Sequence, residues 1–181
     1  MQTAEYRLRK AVAADIPAIR AMQARSMRTL GTRFYDPALV ERYLAQIGTM
    51  DERVVAEGHY FIAVDGLDRP VGSGGWSRQR PTYAGDGQGL QPAGFATVRS
   101  VFVCPEHSRR GIATAIMQLA EEDAVLFGVE HMRLAATLSG IPLYEALGWR
   151  RGRSYAIRLP DGGRLECLEM DKGLIRTDLA A

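Results

Sequence analysis

Residues 100–117, SVFVCPEHSRRGIATAIM, constrain the fold more than any other part of the chain. An apolar run ends at Val103, a proline follows at 105, and a helical pattern then begins. Ile112, Ile116, Leu119, Ala120 and Phe127 recur at helical spacing and make a face that must lie on a sheet. A strand therefore feeds directly into a helix that packs back onto that strand's own sheet. Between them stand Arg109, Arg110 and Gly111, where the helix is expected to begin. The first turn is the positive end of a helix and the least welcome place for cations. The pair makes sense if that end receives an anion. Loop amides and the free first-turn N–H groups would converge on one spot. Gly111 removes a Cβ where a phosphate must come close, and small Ala113 keeps the next turn clear. Two guanidinium groups then supply charge to match. Taken alone, the stretch also reads as a solvated surface turn. It is neither a P-loop, which needs Gly-Lys-Ser/Thr after four spacer residues, nor a GxGxxG dinucleotide fingerprint.

The rest of the chain fits one domain. At 181 residues it is long enough to bury a core without disulfides or metal. Tyr6–Ala11 alternates as a strand, and Asp15 with Pro17 opens a helix to about Leu30. Asp36-Pro37 starts a second helix through Leu39, Tyr43 and Ile47, and DERVVAEG a short third ending at Gly58. YFIAVDG and RPVGSGGWSRQ are strands joined by a tight turn, and residues 80–94 form a Gly/Pro-rich loop. Strands follow over 95–103 and 131–137. A short helix, IPLYEALG, is closed by Gly148, and two last strands flank Asp161-Gly162-Gly163. Helices and strands alternate without a strict βαβ rhythm, which predicts one mixed sheet flanked by helices.

Charge excludes several classes. With 23 basic against 21 acidic residues, the net charge of +2 gives no concentrated basic face for nucleic acid. No apolar run reaches the roughly 18 residues of a membrane span. MQTAEYRLRKA has no secretory h-region, so a cytoplasmic, reducing setting is expected. Cys104 and Cys167 form no CxxC pair, and with three scattered histidines no metal site is expected.

VFVCPEHSRRGIATAIM resembles motif A of the GNAT-type N-acetyltransferase superfamily, in which a V-x-P strand end enters R/Q-x-x-G-x-G/A. Gly111 falls on the central glycine and Ala113 on the final small position, while Ser108 replaces the usual Gln or Arg. ATLSGIPLYEALGW resembles motif B, N-x-x-A-x-x-x-Y-x-x-x-G-F, with Tyr144, Gly148 and Trp149 on its Tyr, Gly and aromatic positions. Thr137 and Gly140 depart from its Asn and Ala. RKAVAADIPAI looks like the family's opening strand and helix, so the resemblance spans residues 5–172, with 173–181 as a C-terminal tail.

The resemblance implies an α/β (α+β) domain with a single, mostly antiparallel sheet, and acetyl-CoA as co-substrate with no metal. Val101, Phe102 and Val103 would line its pantetheine arm, and Arg109, Arg110, Gly111, Ile112, Ala113 and Thr114 would hold its pyrophosphate. A bulge in the strand would splay it from its neighbour and aim a backbone N–H at the thioester carbonyl. Tyr144 would protonate the leaving thiolate as general acid. Many relatives place a Glu base on the central strand. Here that stretch reads ATVRS, leaving Glu57, Asp65, a water chain or an already neutral amine as candidates. Tyr35 and Trp76 are candidate contacts to the acceptor, and Trp76 equally reads as packing. Cys104 reads as a small buried side chain. The function expected is acetyl transfer to a primary amine of a small molecule or protein. The rival is a non-catalytic acyl-CoA-binding module of the same fold. Dimerisation is common among relatives, so a homodimer is compatible with either.

Overall fold

The structure, a computed structural model, describes residues 6–81 and 89–174. Seven strands form one sheet: β1 (Arg7–Lys10), β2 (Tyr60–Val64), β3 (Pro70–Ser77), β4 (Phe95–Val103), β5 (His131–Thr137), β6 (Arg150–Arg158) and β7 (Arg164–Gly173). Their order is β1-β2-β3-β4-β5-β7-β6, and only β4 and β5 run parallel. The helices are α1 (Ile16–Leu30), α2 (Pro37–Gln46), α3 (Arg53–Ala56), α4 (Ile112–Leu126) and α5 (Ile141–Ala146). This is the mixed, mostly antiparallel sheet expected from the sequence.

Strand alternation sorts side chains onto two faces. Tyr60, Ile62 and Val64 meet Ile19 of α1 and Val54 and Val55 of α3. Phe61 and Trp76 turn the other way, onto Met117, Ala120 and Ala124 of α4. Each large side chain so buried is worth about 1.5–3 kcal/mol. The start of α4 is pressed against the sheet where β3 has no side chain. A Cβ on Gly72 would stand 2.5 Å from Ile112 Cγ2.

Element positions follow the sequence reading, with differences at Asp15, at the start of α4, and at Phe127, which is 51% exposed instead of facing the sheet. Asp36 caps α2 as its sequence suggests, its carboxylate accepting from the Ala38 and Leu39 N–H groups. Asp15 precedes α1 but does not cap it. Its carboxylate accepts from Val12 N and from both terminal nitrogens of Arg9, at 2.7 and 2.8 Å. The second difference bears on function: α4 starts at Ile112, so Arg109 and Arg110 precede the helix instead of occupying its first turn. The reason is backbone geometry, because Arg109 (φ 63°) and Gly111 (φ 77°) are both left-handed. The 173–181 tail lies, from residue 175 on, outside the described residues, as do residues 82–88 of the expected 80–94 loop.

Candidate active site

The parallel seam between β4 and β5 is short. Phe95, Ala96 and Thr97 pair with His131, Met132 and Arg133, and beyond them the strands diverge. Across the gap, the backbones of Val98–Val103 and Leu134–Thr137 have no partner strand. On its other side β4 pairs with β3 through a bulge, where one residue, Gly74, faces two, Ser100 and Val101. Ser100 is left-handed, with φ 50°. A bulge bends its strand and sharpens its twist, which opens the gap.

A buried polar cluster fixes the bulge. The Tyr60 hydroxyl donates to the Ser100 carbonyl at 2.7 Å. Gln23 Nε2, on fully buried Gln23 of α1, donates to Tyr60 Oη (2.9 Å) and Ser73 Oγ (3.0 Å). Burial pushes the Tyr60 phenol well above its ordinary pKa, so it stays a neutral donor. Because every peptide here is trans, a carbonyl held toward Tyr60 turns the following N–H, that of Val101, the opposite way.

The gap is a cleft of about 230 Å³. Val101, Phe102 and Val103 line one wall, Leu134, Ala135 and Thr137 the other, with Ala113 and Tyr144 also on its surface. It contains no acidic side chain among these lining residues. Gly111 is the N-cap of α4 and no side chain caps the helix, so the first-turn N–H groups have no intrahelical or capping acceptor. Gly111, Arg109 and Arg110 are exposed, and nothing lies within 4 Å of where a Gly111 Cβ would stand. Ile112 contributes only its backbone, its side chain being 1% exposed in the core. This suits a pyrophosphate with an extended arm: donors at the helix end, two guanidiniums beside them, and free strand edges along the gap.

Tyr144 lies on α5, only six residues long, and is braced from behind. Its ring meets Trp149 edge-on at 6.0 Å. Trp149 Nε1 donates to Glu121 of α4 at 3.0 Å, and Lys172 of β7 bridges Glu121 to the Leu147 carbonyl. Gly140 leaves room for the same ring: a Cβ there would sit 3.0 Å from Tyr144 Cε2.

Other sequence candidates lie elsewhere. Tyr35 is buried and outside the cleft lining, its hydroxyl donating to Glu166 O (2.7 Å) and accepting from Leu138 N (2.8 Å). Trp76 is 1% exposed beneath α4, stacked on His59 and donating to Asp123 at 3.0 Å. Its packing role is what the geometry displays. Asp65 pairs with Arg69 in the β2–β3 turn, and Glu57 accepts from Ser77; neither lines the cleft. Cys104 and Cys167 are buried free thiols; burial raises both, Cys167 to about 12. Among the described residues, no group of three or more His, Cys, Asp or Glu could hold a metal, and no helix is long and apolar enough to cross a membrane.

The site is thus a mixed sheet split beside a bulged strand, with the uncapped end of a helix at the mouth of the split. The sequence profile of the Acetyltransferase (GNAT) family matches residues 19–149, and the chain belongs to that family. Among solved structures, a GCN5-related N-acetyltransferase from Rhodopseudomonas palustris is 18% identical over 96% of this chain and 99% of its own, with a TM-score of 0.72. A phosphinothricin acetyltransferase from Sinorhizobium meliloti, in complex with AcCoA, is 21% identical over 98% and 92%, with a TM-score of 0.64. PaiA N-acetyltransferase from Thermoplasma acidophilum, in complex with coenzyme A, is 14% identical over 93% and 98%, with a TM-score of 0.67. No curated protein sequence matches the chain.

Proposed function

We propose that this protein is an acetyl-CoA-dependent N-acetyltransferase acting on a primary amine of a small molecule or a protein. The observation that carries the reading is the continuity of one cleft. It runs from the uncapped end of α4, along the unpaired edge of β4, to Tyr144 on α5.

Acetyl-CoA supplies the acyl group as a thioester: the amine's N–C bond forms as the C–S bond breaks, and coenzyme A leaves as its thiol. The N–H groups of Ile112, Ala113 and Thr114 bind the pyrophosphate, helped by Arg109 and Arg110. Val101–Val103 order the pantetheine arm by strand-like hydrogen bonds. The Val101 N–H, turned away from Tyr60, polarises the thioester carbonyl as its oxygen gains charge. Tyr144 gives its phenolic proton to the leaving sulfur and regains one from water. Holding amine and thioester in line supplies much of the remaining acceleration. A cytoplasmic setting fits the two unpaired thiols.

Coenzyme A release across a panel of amines and peptides, paired with thermal melting, tests this. Acetyl-CoA at a hundredfold excess over Kd stabilises by about 2.7 kcal/mol. For a domain of this size that raises Tm by roughly 5–10 °C. No shift, or a shift with no amine-dependent release, overturns the proposal.

A further inference from the structure

A second cavity, of about 660 Å³, adjoins the cleft at the bulge; Tyr43, Thr49 and Ser100 belong to the walls of both. Its wall carries Arg20, Arg53 and Arg99 against Asp51 and Glu52, three guanidiniums to two carboxylates. Both carboxylates are already taken. Arg20 pairs with Glu52 at 2.7 Å, and Arg53 holds Asp51 at 2.6 and 2.9 Å.

Arg99 is the surplus. It sits in the middle of the sheet, on β4 next to Ser100, and is 3% exposed. Its five N–H donors have poor partners: Gln79 O at 3.5 Å, and Asp51 Oδ2 at 3.8 Å, beyond hydrogen-bonding range. The Arg99 side chain is enclosed, but its guanidinium faces the cavity and is short of protein partners, so an anion entering the cavity would complete it. Its planar fork matches a carboxylate, and one surplus positive charge matches a monoanion better than a phosphate dianion.

We propose that Arg99 binds a carboxylate of the acceptor, so that the substrate is a small amine that also carries a carboxylate, such as an amino acid. This rests on the acetyl-transfer reading above. Consecutive residues of β4 would then address the two ends of one molecule: Arg99 its carboxylate, and the bulge at Ser100–Val101 the acyl group its amine attacks.

The test compares α-amino acids with their own carboxamides as acceptors at saturating acetyl-CoA, in the wild type and in Arg99→Gln. A hydrogen-bonded charge pair gives the acids at least about a tenfold advantage in kcat/KM. Arg99→Gln removes the advantage, and Arg99→Lys, which keeps charge without the fork, restores part of it. Melting of the coenzyme A complex with N-acetyl-amino acids and with their carboxamides gives a readout without turnover, in which only the acids raise Tm. Acids and carboxamides within threefold in the wild type overturn the inference, whether or not either variant folds. So does an acid preference that survives in folded Arg99→Gln. Acetyl-CoA stabilisation with unselective turnover sinks this inference alone, whereas absence of both stabilisation and release removes the acetyl-transfer reading and this one with it.

Discussion

The hydroxyl of Tyr60, on β2, holds the carbonyl of Ser100, on β4, at 2.7 Å across the intervening strand β3. That bond fixes the left-handed residue of the bulge and so the direction of the next N–H. Tyr60→Phe deletes it without opening a cavity. The expected result is a loss of about 1–2 kcal/mol in unfolding free energy. With it, kcat falls about tenfold while the KM for acetyl-CoA changes little, since misdirecting the Val101 N–H costs roughly 1.4 kcal/mol in the transition state. Denaturant unfolding and steady-state kinetics read the two effects separately.

Tyr144→Phe is expected to lower kcat by a factor of about 10²–10³, within the range for losing a general acid. The ring stays packed on Trp149, so Tm and acetyl-CoA affinity should hold. An unchanged rate on a true acceptor would remove the hydroxyl from the chemistry.

Arg109→Gly should move stability and ligand binding in opposite directions. Arg109 has φ 63°, a conformation costing a non-glycine residue on the order of 1 kcal/mol, which glycine escapes. The variant should melt higher without ligand and bind acetyl-CoA several-fold more weakly, having lost a phosphate partner. Calorimetric titration beside a melting curve checks both signs.

Rate should rise with pH under the acceptor amine's own titration. Asp51, the carboxylate beside Arg99, is held below its ordinary value by hydrogen bonds from Arg53. Its folded pKa is thus lower than its unfolded one, so it stabilises the fold above about pH 4 and that contribution is lost as pH falls through the folded value. At working pH it is therefore ionised and a weak base. Amines with pKa near 10 must shed their proton to water. The logarithm of kcat/KM should climb about one unit per pH unit between pH 7 and 9, and Asp51→Asn should leave that slope in place.

Much of this was legible in the sequence because it is local. The strand at 131–137 and the helix opening at Asp36-Pro37 follow from patterns within a few residues. The bulge was expected only through resemblance, because register is a relation between β3 and β4 that neither strand encodes alone. Arg109 and Arg110 were expected in the first turn, but left-handed backbone at Arg109 and Gly111 delays the helix to Ile112. Gln23 and Arg99 carry only an indirect signal in the sequence: each breaks a pattern. Gln23 interrupts the apolar face of α1 between Ile19 and Met27, and Arg99 is a lone charge in FATVRSVFV. Such a break is a signal, but what the odd residue touches depends on elements far away in the chain.

The three residue pairs joining β4 to β5 are the narrowest seam in the sheet. Mechanically, β1–β4 and β5–β7 are two leaves pinned at one end, and anything lodged between them touches both. An occupant of the gap is thus a strut as well as a reactant, and amide exchange across Leu134–Thr137 should slow when it is in place.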